Sequence, residues 1–581
     1  MRVENLTRLL VASCVAAPLL ASCGGVPESS EAEIVEPAPT DFDQSSSIDA
    51  ESFLPTEDAT STVDHFLRAA SGDPTGRDDR LHEFTTEARE FSAPVDGIGL
   101  LDDVDIALGD DTADLNTTTV TVTGSVVGTY LLDGQVRMND VPREYEEEFV
   151  LEREGFQEDW TIPAPPSQVM MLRDQFERSY GQAPLYFQAT GQNDLLVPDL
   201  RWIYRNLDET TDNDIRLDWL LQGTSEWVRQ SARSVIPTGT TPEITEEDGV
   251  VRIDLTLGEG ADPDGATTDA IAAQIAWSLG LTSRFELLFN GEERISGTLD
   301  DWRGWNAIPP SGGDETGYFI AGDTVWQFAD DAITDVSIDH PWVGFSAPGL
   351  EQVAVAADDQ VAAVVAGEAG FELRIGRGEG AMTTVAGLTG ALRDPQWLTD
   401  GTVMVVDDGV LTAVDAEGEA VQTLAGESVQ SLSVAPDGHR IAYVEDGRAW
   451  AAPLSHDADG NLQIGQTQRI GLDITQVTDV NWGSEDFIWV AGERAGHDDK
   501  LFLVSIDNAE TESQAGTSGF PIVQEIAAKP ADPVEADQNR GEPNIVVIGA
   551  DLYRVHTSSL QPVENGEGGI VQGSAPFTVP E

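Results

Sequence analysis

Cysteine is nearly missing from this chain: Cys14 and Cys23 are the only two among 581 residues. Their place near the N-terminus excludes a disulfide-stapled scaffold, a cysteine zinc site and a cysteine nucleophile in the body. The fold must therefore rest on buried apolar surface. Positive charge is scarce as well. Only 31 lysines and arginines face 104 aspartates and glutamates, giving a formal net charge of -73. Lysine is confined to Lys500 and Lys529. A surface of that sign repels DNA and RNA, so nucleic-acid binding is excluded. It also offers no polybasic patch to anionic lipid, so any hold on a membrane must be hydrophobic or covalent. Adaptation to high salt and selection for solubility both produce such acidity. Beyond the N-terminus, no apolar run approaches the roughly 18 residues of a spanning helix.

What the sequence does hold begins at its start. Arg2 and Arg8 flank a short n-region, and the apolar run from Leu9 to Leu20 has the length of a signal-peptide h-region. Leu20-Ala21-Ser22-Cys23 reads as a lipobox, with leucine three places before the cysteine and two small residues between. It predicts a signal peptide over 1–22, cleavage between Ser22 and Cys23, and lipidation of Cys23 as S-diacylglycerol cysteine and N-palmitoyl cysteine. Cys14, with Val11 in the place of the leucine, is the weaker candidate. The predicted location is the extracytoplasmic face of the cell membrane. Residues 23–58 are rich in Ser, Pro, Ala, Asp and Glu and carry no Lys or Arg, a composition that reads as a disordered acidic tether. Its reach is on the order of 30 Å.

Three regions follow. Over 59–166, Val63, Phe66, Leu67 and Ala70 fall at helical spacing, and a second helix is expected around Leu81 to Phe91. Thr118 to Leu132 alternates β-branched residues and meets Asp133-Gly134, a hairpin signal. A Pro-rich step, Pro163 to Pro166, closes this α+β region. Over 167–310 come the strand Pro184 to Phe187, a helix expected from Asp214 to Ala232, a hairpin at Asp248-Gly249, a helix from Ala266 to Leu279 and the strand Phe285 to Phe289. This is a second small α+β domain, its sheet covered by two helices.

Over 311–581 the helical signal gives way to a repeat. The stretches beginning at Trp397, Val434 and Trp482 superpose an apolar residue, an acidic turn and a buried strand, with Val355 and Ile526 continuing the series on either side. A second hairpin recurs at Ile320 to Trp326, Val406 to Leu411, Val444 to Trp450 and Ile548 to Tyr553. A period of about 40 to 45 residues with four strands is that of a β-propeller blade. Six units are expected, and seven if the termini share a closing blade. The fold class is thus multidomain: two small α+β domains followed by an all-β propeller of about six blades.

Signals for chemistry are thin. The seven histidines include no pair at metal-binding spacing. Gly344 to Gly349 lacks the spacing of a nucleophile elbow, and there is no phosphate loop or dinucleotide fingerprint. Asp262-Pro-Asp-Gly265 and Asp457-Ala-Asp-Gly460 are fragments of a calcium loop without its full ligand set, and acidic turns are the plainer reading. No catalytic residue, cofactor or metal site is expected. Trp202, Trp219 and Trp227 are candidates for a glycan or peptide groove, with core packing as the competing role.

The lipobox, the segment Leu185 to Trp202 with its Val197-Pro-Asp-Leu-Arg-Trp202, and the motif Ser433-Val-Ala-Pro-Asp-Gly438 together resemble the actinobacterial lipoprotein LpqB family. The middle region is similar to the GerMN module of spore-germination proteins. The resemblance implies an accessory protein of the MtrAB two-component system that contacts the extracytoplasmic part of the sensor kinase MtrB and bears on cell-wall metabolism and division. The expectation is a membrane-anchored regulatory protein without enzymatic activity. The alternative is an envelope glycan- or peptide-binding protein or a propeller enzyme.

Overall fold

In the computed structural model, the described residues are 50–579 apart from 75, 86–96, 110–114, 167, 248, 311–315, 330–331, 338–339, 378–381, 420, 536–542, 557–558 and 566–567. The signal peptide, the lipobox with Ser22 and Cys23, most of the tether, Asp248 and the end of the second predicted helix at Phe91 lie outside them.

The first domain packs helices α1 (Ala59–Ala69) and α2 (Arg77–His82) on a four-stranded sheet. Asp58 starts α1 by accepting a hydrogen bond from the Ser61 N–H at 2.8 Å. Val63, Phe66 and Leu67 then face inward at helical spacing, and Phe66 meets Phe84 and Phe149 edge to face. The sheet order is Val136–Glu152, Thr117–Tyr130, Ile98–Leu108, Met170–Leu172; the first three strands are antiparallel and the fourth joins in parallel. Helix α3 (Arg173–Ser179) follows directly.

The middle domain is built around a buried helix. Helix α4 spans Glu209–Gln222, starting earlier and ending sooner than the stretch from Asp214 to Ala232 that apolar spacing suggests. Asp208 caps it and Gly223, at φ 93°, ends it. Helix α5, Gly265–Leu279, is buried continuously from Ala270 to Leu279. It forms the crossover between the parallel strands Val250–Thr256 and Phe285–Phe289, which parallel pairing requires. Those strands belong to one four-stranded sheet, and Leu185–Ala189 centres a second sheet of three.

Six sheets, each with at least four strands, make up the rest of the described chain. Their first strands are Leu350–Val355, Leu392–Trp397, Val429–Val434, Ile474–Trp482, Glu525–Ala528 and Ser574–Phe577, and each touches the next around a closed ring. This is a six-bladed propeller. The C-terminal strand Ser574–Phe577 pairs with Gly317–Ala321, so the termini share a blade that is one of the six, not a seventh. Closure abolishes the open edge that a stack of blades would expose.

Polar bonds between first strands stitch neighbouring blades. The Gln352 amide donates to Asp394 at 2.9 Å, Ser431 donates to Asp479, Asp479 accepts the Ile526 N–H at 2.7 Å, and Glu525 accepts the Ala575 N–H at 2.6 Å. Burial pushes the Asp394 carboxyl up to about 7 and that of Asp479 well above its usual range.

Candidate functional site: the junction of three domains

Val197-Pro-Asp-Leu-Arg-Trp202 is where the three domains meet. Leu196–Asp199 pairs with Leu185–Ala189 in the middle domain, while Trp202–Tyr204 pairs with Tyr180–Gln182. The Trp202 N–H donates to Gly134 O at 2.8 Å, and Tyr130 Oη donates to Trp202 O at 3.1 Å, both tying it to the first domain. Its indole Nε1 donates to Asp507 of the propeller at 2.7 Å. Phe176 packs on the ring at 5.5 Å, and Tyr130 and Tyr180 pack on Phe176 in turn. Trp202 is thus a buried strut. Trp219 has a similar role: its indole donates to Leu132 O at 3.0 Å and its ring lies under Gly134. Gly134 sits at φ 80°, and a Cβ there would come within 2.6 Å of that ring, so the turn needs glycine for both conformation and space.

The propeller presents to the middle domain the turns that link first to second strands. Thr399 donates to Gln192 at 3.1 Å, and Tyr186 Oη and Asn306 Nδ2 each donate to Glu485 at 2.5 Å. Arg303 pairs with Asp532. The Ala435-Pro-Asp-Gly438 turn, common in propellers, here brings Asp437 Oδ2 within 2.8 Å of Arg440 Nε. Arg440, 1% exposed, also lies 3.4 Å from Asp486 and over the Trp482 ring. Across the interface Asp199, also buried, accepts from Arg201 at 3.0 Å and from the Ser225 N–H at 2.6 Å.

Carboxylates outnumber guanidiniums in this layer: buried Asp199, Asp437, Glu485 and Asp486, with the half-buried Asp507, surround Arg201 and Arg440. Burial pushes Asp486 up to about 8 against the attraction of Arg440, and Glu485 up to about 7 against the bonds from Tyr186 and Asn306. Burial likewise raises Asp199 and Asp507. For Arg440, burial disfavours the charge, but Asp437 and Asp486 outweigh it and hold the guanidinium above its usual range.

A folded-state carboxyl raised in this way stays protonated where the unfolded chain has already released its proton. Its contribution is therefore full below the ordinary carboxylate range and is lost as pH rises through about 7 for Glu485 and about 8 for Asp486. The melting temperature of the protein is expected to fall between about pH 5 and pH 8.5, and Asp486→Asn to flatten that fall. A melting temperature that climbs steadily over this interval would contradict the assignment.

Against this layer lies a cavity of about 230 Å³. Pro198, Leu200, Val228, Ile506 and the half-buried Trp227 are among its apolar walls; Asp199, Arg440, Asp486 and Asp507, with Arg137, Glu226 and three glutamines, are among the polar ones. Of the three tryptophans singled out in the sequence, Trp227 alone lines the cavity, while Trp202 and Trp219 sit in the packing around it. Asp199 and Asp437 fall inside the two motifs quoted from the sequence, but Glu485, Asp486, Asp507 and Arg440 carry no spacing signal because they converge from distant turns. The two calcium-loop fragments act as caps: Asp264 accepts the Thr267 N–H that starts α5, and Asp457 accepts the N–H groups of Asp459 and Asn461. No group of three or more metal-binding side chains occurs among the described residues.

Comparison with known proteins follows the same division. Residues 54–177 match the family described as Lipoprotein LpqB, N-terminal domain; 184–294 match Sporulation and spore germination; 323–540 match Lipoprotein LpqB beta-propeller domain. Relatives named Lipoprotein LpqB include one from Thermobifida fusca, 22% identical over 65% of this chain and 69% of its own. Another, from Streptomyces coelicolor, is 25% identical over 88% of this chain and 90% of its own. Solved structures with some likeness include a luciferin-regenerating enzyme, at TM-score 0.28 and 12% identity over 46% of this chain and 88% of that one. A virginiamycin B lyase from Staphylococcus aureus gives TM-score 0.29 and 8% identity over 42% and 84%. With both LpqB-specific domains and the module between them present in order, the chain belongs to the LpqB lipoprotein family.

Proposed function

We propose that the protein is an extracytoplasmic lipoprotein, anchored through Cys23, that regulates a partner by binding it, the partner being the extracytoplasmic part of an MtrB-like sensor kinase. The observation that carries this reading is the junction: buried bonds fix the middle domain across one face of the propeller, making a rigid body whose opposite face is open. On that open side the turns between second and third strands present Asp323, Glu368, Asp408, Asp446 and Asp498, exposed carboxylates from five of the six blades. Such a rim favours a basic partner surface and steers its approach in a salt-dependent way. Regulation by binding asks for no reaction at this face, and its variable turns rest on a core that they do not disturb.

No helix among the described residues is long and apolar enough to cross a membrane. Diacylglycerol on the Cys23 thiol and a third chain on its amine would supply the two or more chains that stable anchoring needs. Cys23→Ala is expected to move the protein from the membrane fraction to the soluble one. Retention of that variant in washed membranes would refute the anchor. Crosslinking in whole cells tests the partner. Recovery of a sensor kinase ectodomain supports the reading, and recovery of wall polymer alone overturns it.

A further inference from the structure

The junction cavity is not used by the reading above. Two features of its wall point to an occupant. Trp227 Nε1 is buried without a hydrogen-bond acceptor, while Arg440 Nη2 is ion-paired with Asp437 at 2.6 Å. A buried donor like that of Trp227 is rare in folded proteins and calls for an acceptor. On the same wall Asp486, 5% exposed, has only the 3.4 Å approach of Arg440 Nη1. Asp199 and Asp507 differ, since each accepts short bonds from its own surroundings. Asp486 is therefore the carboxylate with room for another donor.

Charge gives the sign of that donor. The cavity is lined by Asp199, Glu226, Asp486 and Asp507 against Arg137 and Arg440, so an anion would add to the excess of carboxylates, whereas a cation would relieve it. A volume of about 230 Å³ lies below the roughly 300 to 1,000 Å³ of drug-sized sites and suits a metabolite. The apolar stretch of Pro198, Leu200 and Trp227 would cover its carbon skeleton.

We infer that the cavity binds a small primary amine that also carries an oxygen acceptor, its ammonium seated on Asp486 and its oxygen facing Trp227 Nε1 and Arg440. Amino sugars and short peptides both have this chemistry. Ammonium binding displaces the proton that Asp486 otherwise holds, so complex formation releases protons near neutral pH. The site is independent of which partner the open face contacts.

The test is calorimetric titration of the purified full chain near pH 7.5 with four probes: glucosamine, glycylglycine, and the uncharged glucose and N-acetylglucosamine. Binding of at least one amine, with proton release revealed by buffers of different ionisation enthalpy, is the expected result. The probe that binds tells sugar amine from peptide amine. Asp486→Asn removes a charge-assisted bond and is expected to weaken that probe about tenfold or more. Trp227→Phe is expected to weaken it several-fold. Asparagine has nearly the shape of the protonated Asp486, so Asp486→Asn should fold at least as well as the parent, which melting confirms. The inference is overturned if no amine binds at up to tens of millimolar, if glucose or N-acetylglucosamine binds equally well, or if Asp486→Asn binds as the parent does.

Discussion

Arg440→Met is expected to destabilise the protein by about 3–5 kcal/mol near pH 8, the usual effect of stranding buried charge. Arg440 is 1% exposed and is held between Asp437 and Asp486, so its loss leaves two carboxylates buried without their counter-charge. Methionine keeps much of the volume beside Trp482, which confines the effect to charge. Lowering the pH to about 6 should shrink the effect, because Asp486 and Glu485 then hold their protons. Chemical unfolding at the two pH values reads both numbers. Adding Asp486→Asn to Arg440→Met should restore part of the loss, since the two side chains belong to one network. A loss under about 1 kcal/mol at pH 8 would mean that the ion pairs at the junction contribute little.

Ending the chain at Gly573 should have an effect at least as large. Ser574–Phe577 is the first strand of the blade whose other strands begin at Gly317, and it touches the first strands on both sides. Phe577 stacks on Tyr318 at 5.4 Å and lies against Trp342, which is almost wholly buried. Without the strand, Tyr318, Ile320 and Trp342 lose their cover, and the ladder of Gly317–Ala321 gains an open edge. A loss of about 4 kcal/mol or more is expected from apolar burial alone. Calorimetry should then show the propeller melting earlier and less cooperatively. Unchanged melting would show that the ring does not depend on this closure.

The propeller was legible in the sequence because a blade repeats a local pattern. Val434-Ala-Pro-Asp-Gly438 and its counterparts each mark the turn between first and second strands, and Asp408-Gly409 and Asp446-Gly447, with positive φ at both residues of each pair, mark the next hairpin. The closing strand was less legible. Ser574–Phe577 has no turn of its own that fits the series, so the repeat alone is compatible with six blades or seven. Helix α5 was read almost to its ends, since Asp264 and Gly280 punctuate it. For α4 the apolar residues gave an extent that Gly223 cuts short.

The junction was not legible. Val197 to Trp202 stands out as a motif and Trp202 as a candidate groove residue, but the partners of Arg201 and Trp202, Asp133 and Asp507, lie far away in sequence. Asp437 and Asp486 look like two more acidic turn residues in a chain that has 104 acids. Only the packing of one domain on another takes these few out of water, and no local spacing encodes that event.

Regulation of a sensor kinase is the central claim, and co-reconstitution tests it most directly. The lipidated full chain and an MtrB-like kinase would be placed in one population of proteoliposomes, and the rate of phosphoryl transfer to the response regulator measured with and without the lipoprotein. A change of several-fold that weakens at high salt, and that disappears when Asp323, Glu368, Asp408, Asp446 and Asp498 are neutralised together, is the predicted result. An unchanged rate with folded, membrane-bound lipoprotein in excess would contradict it.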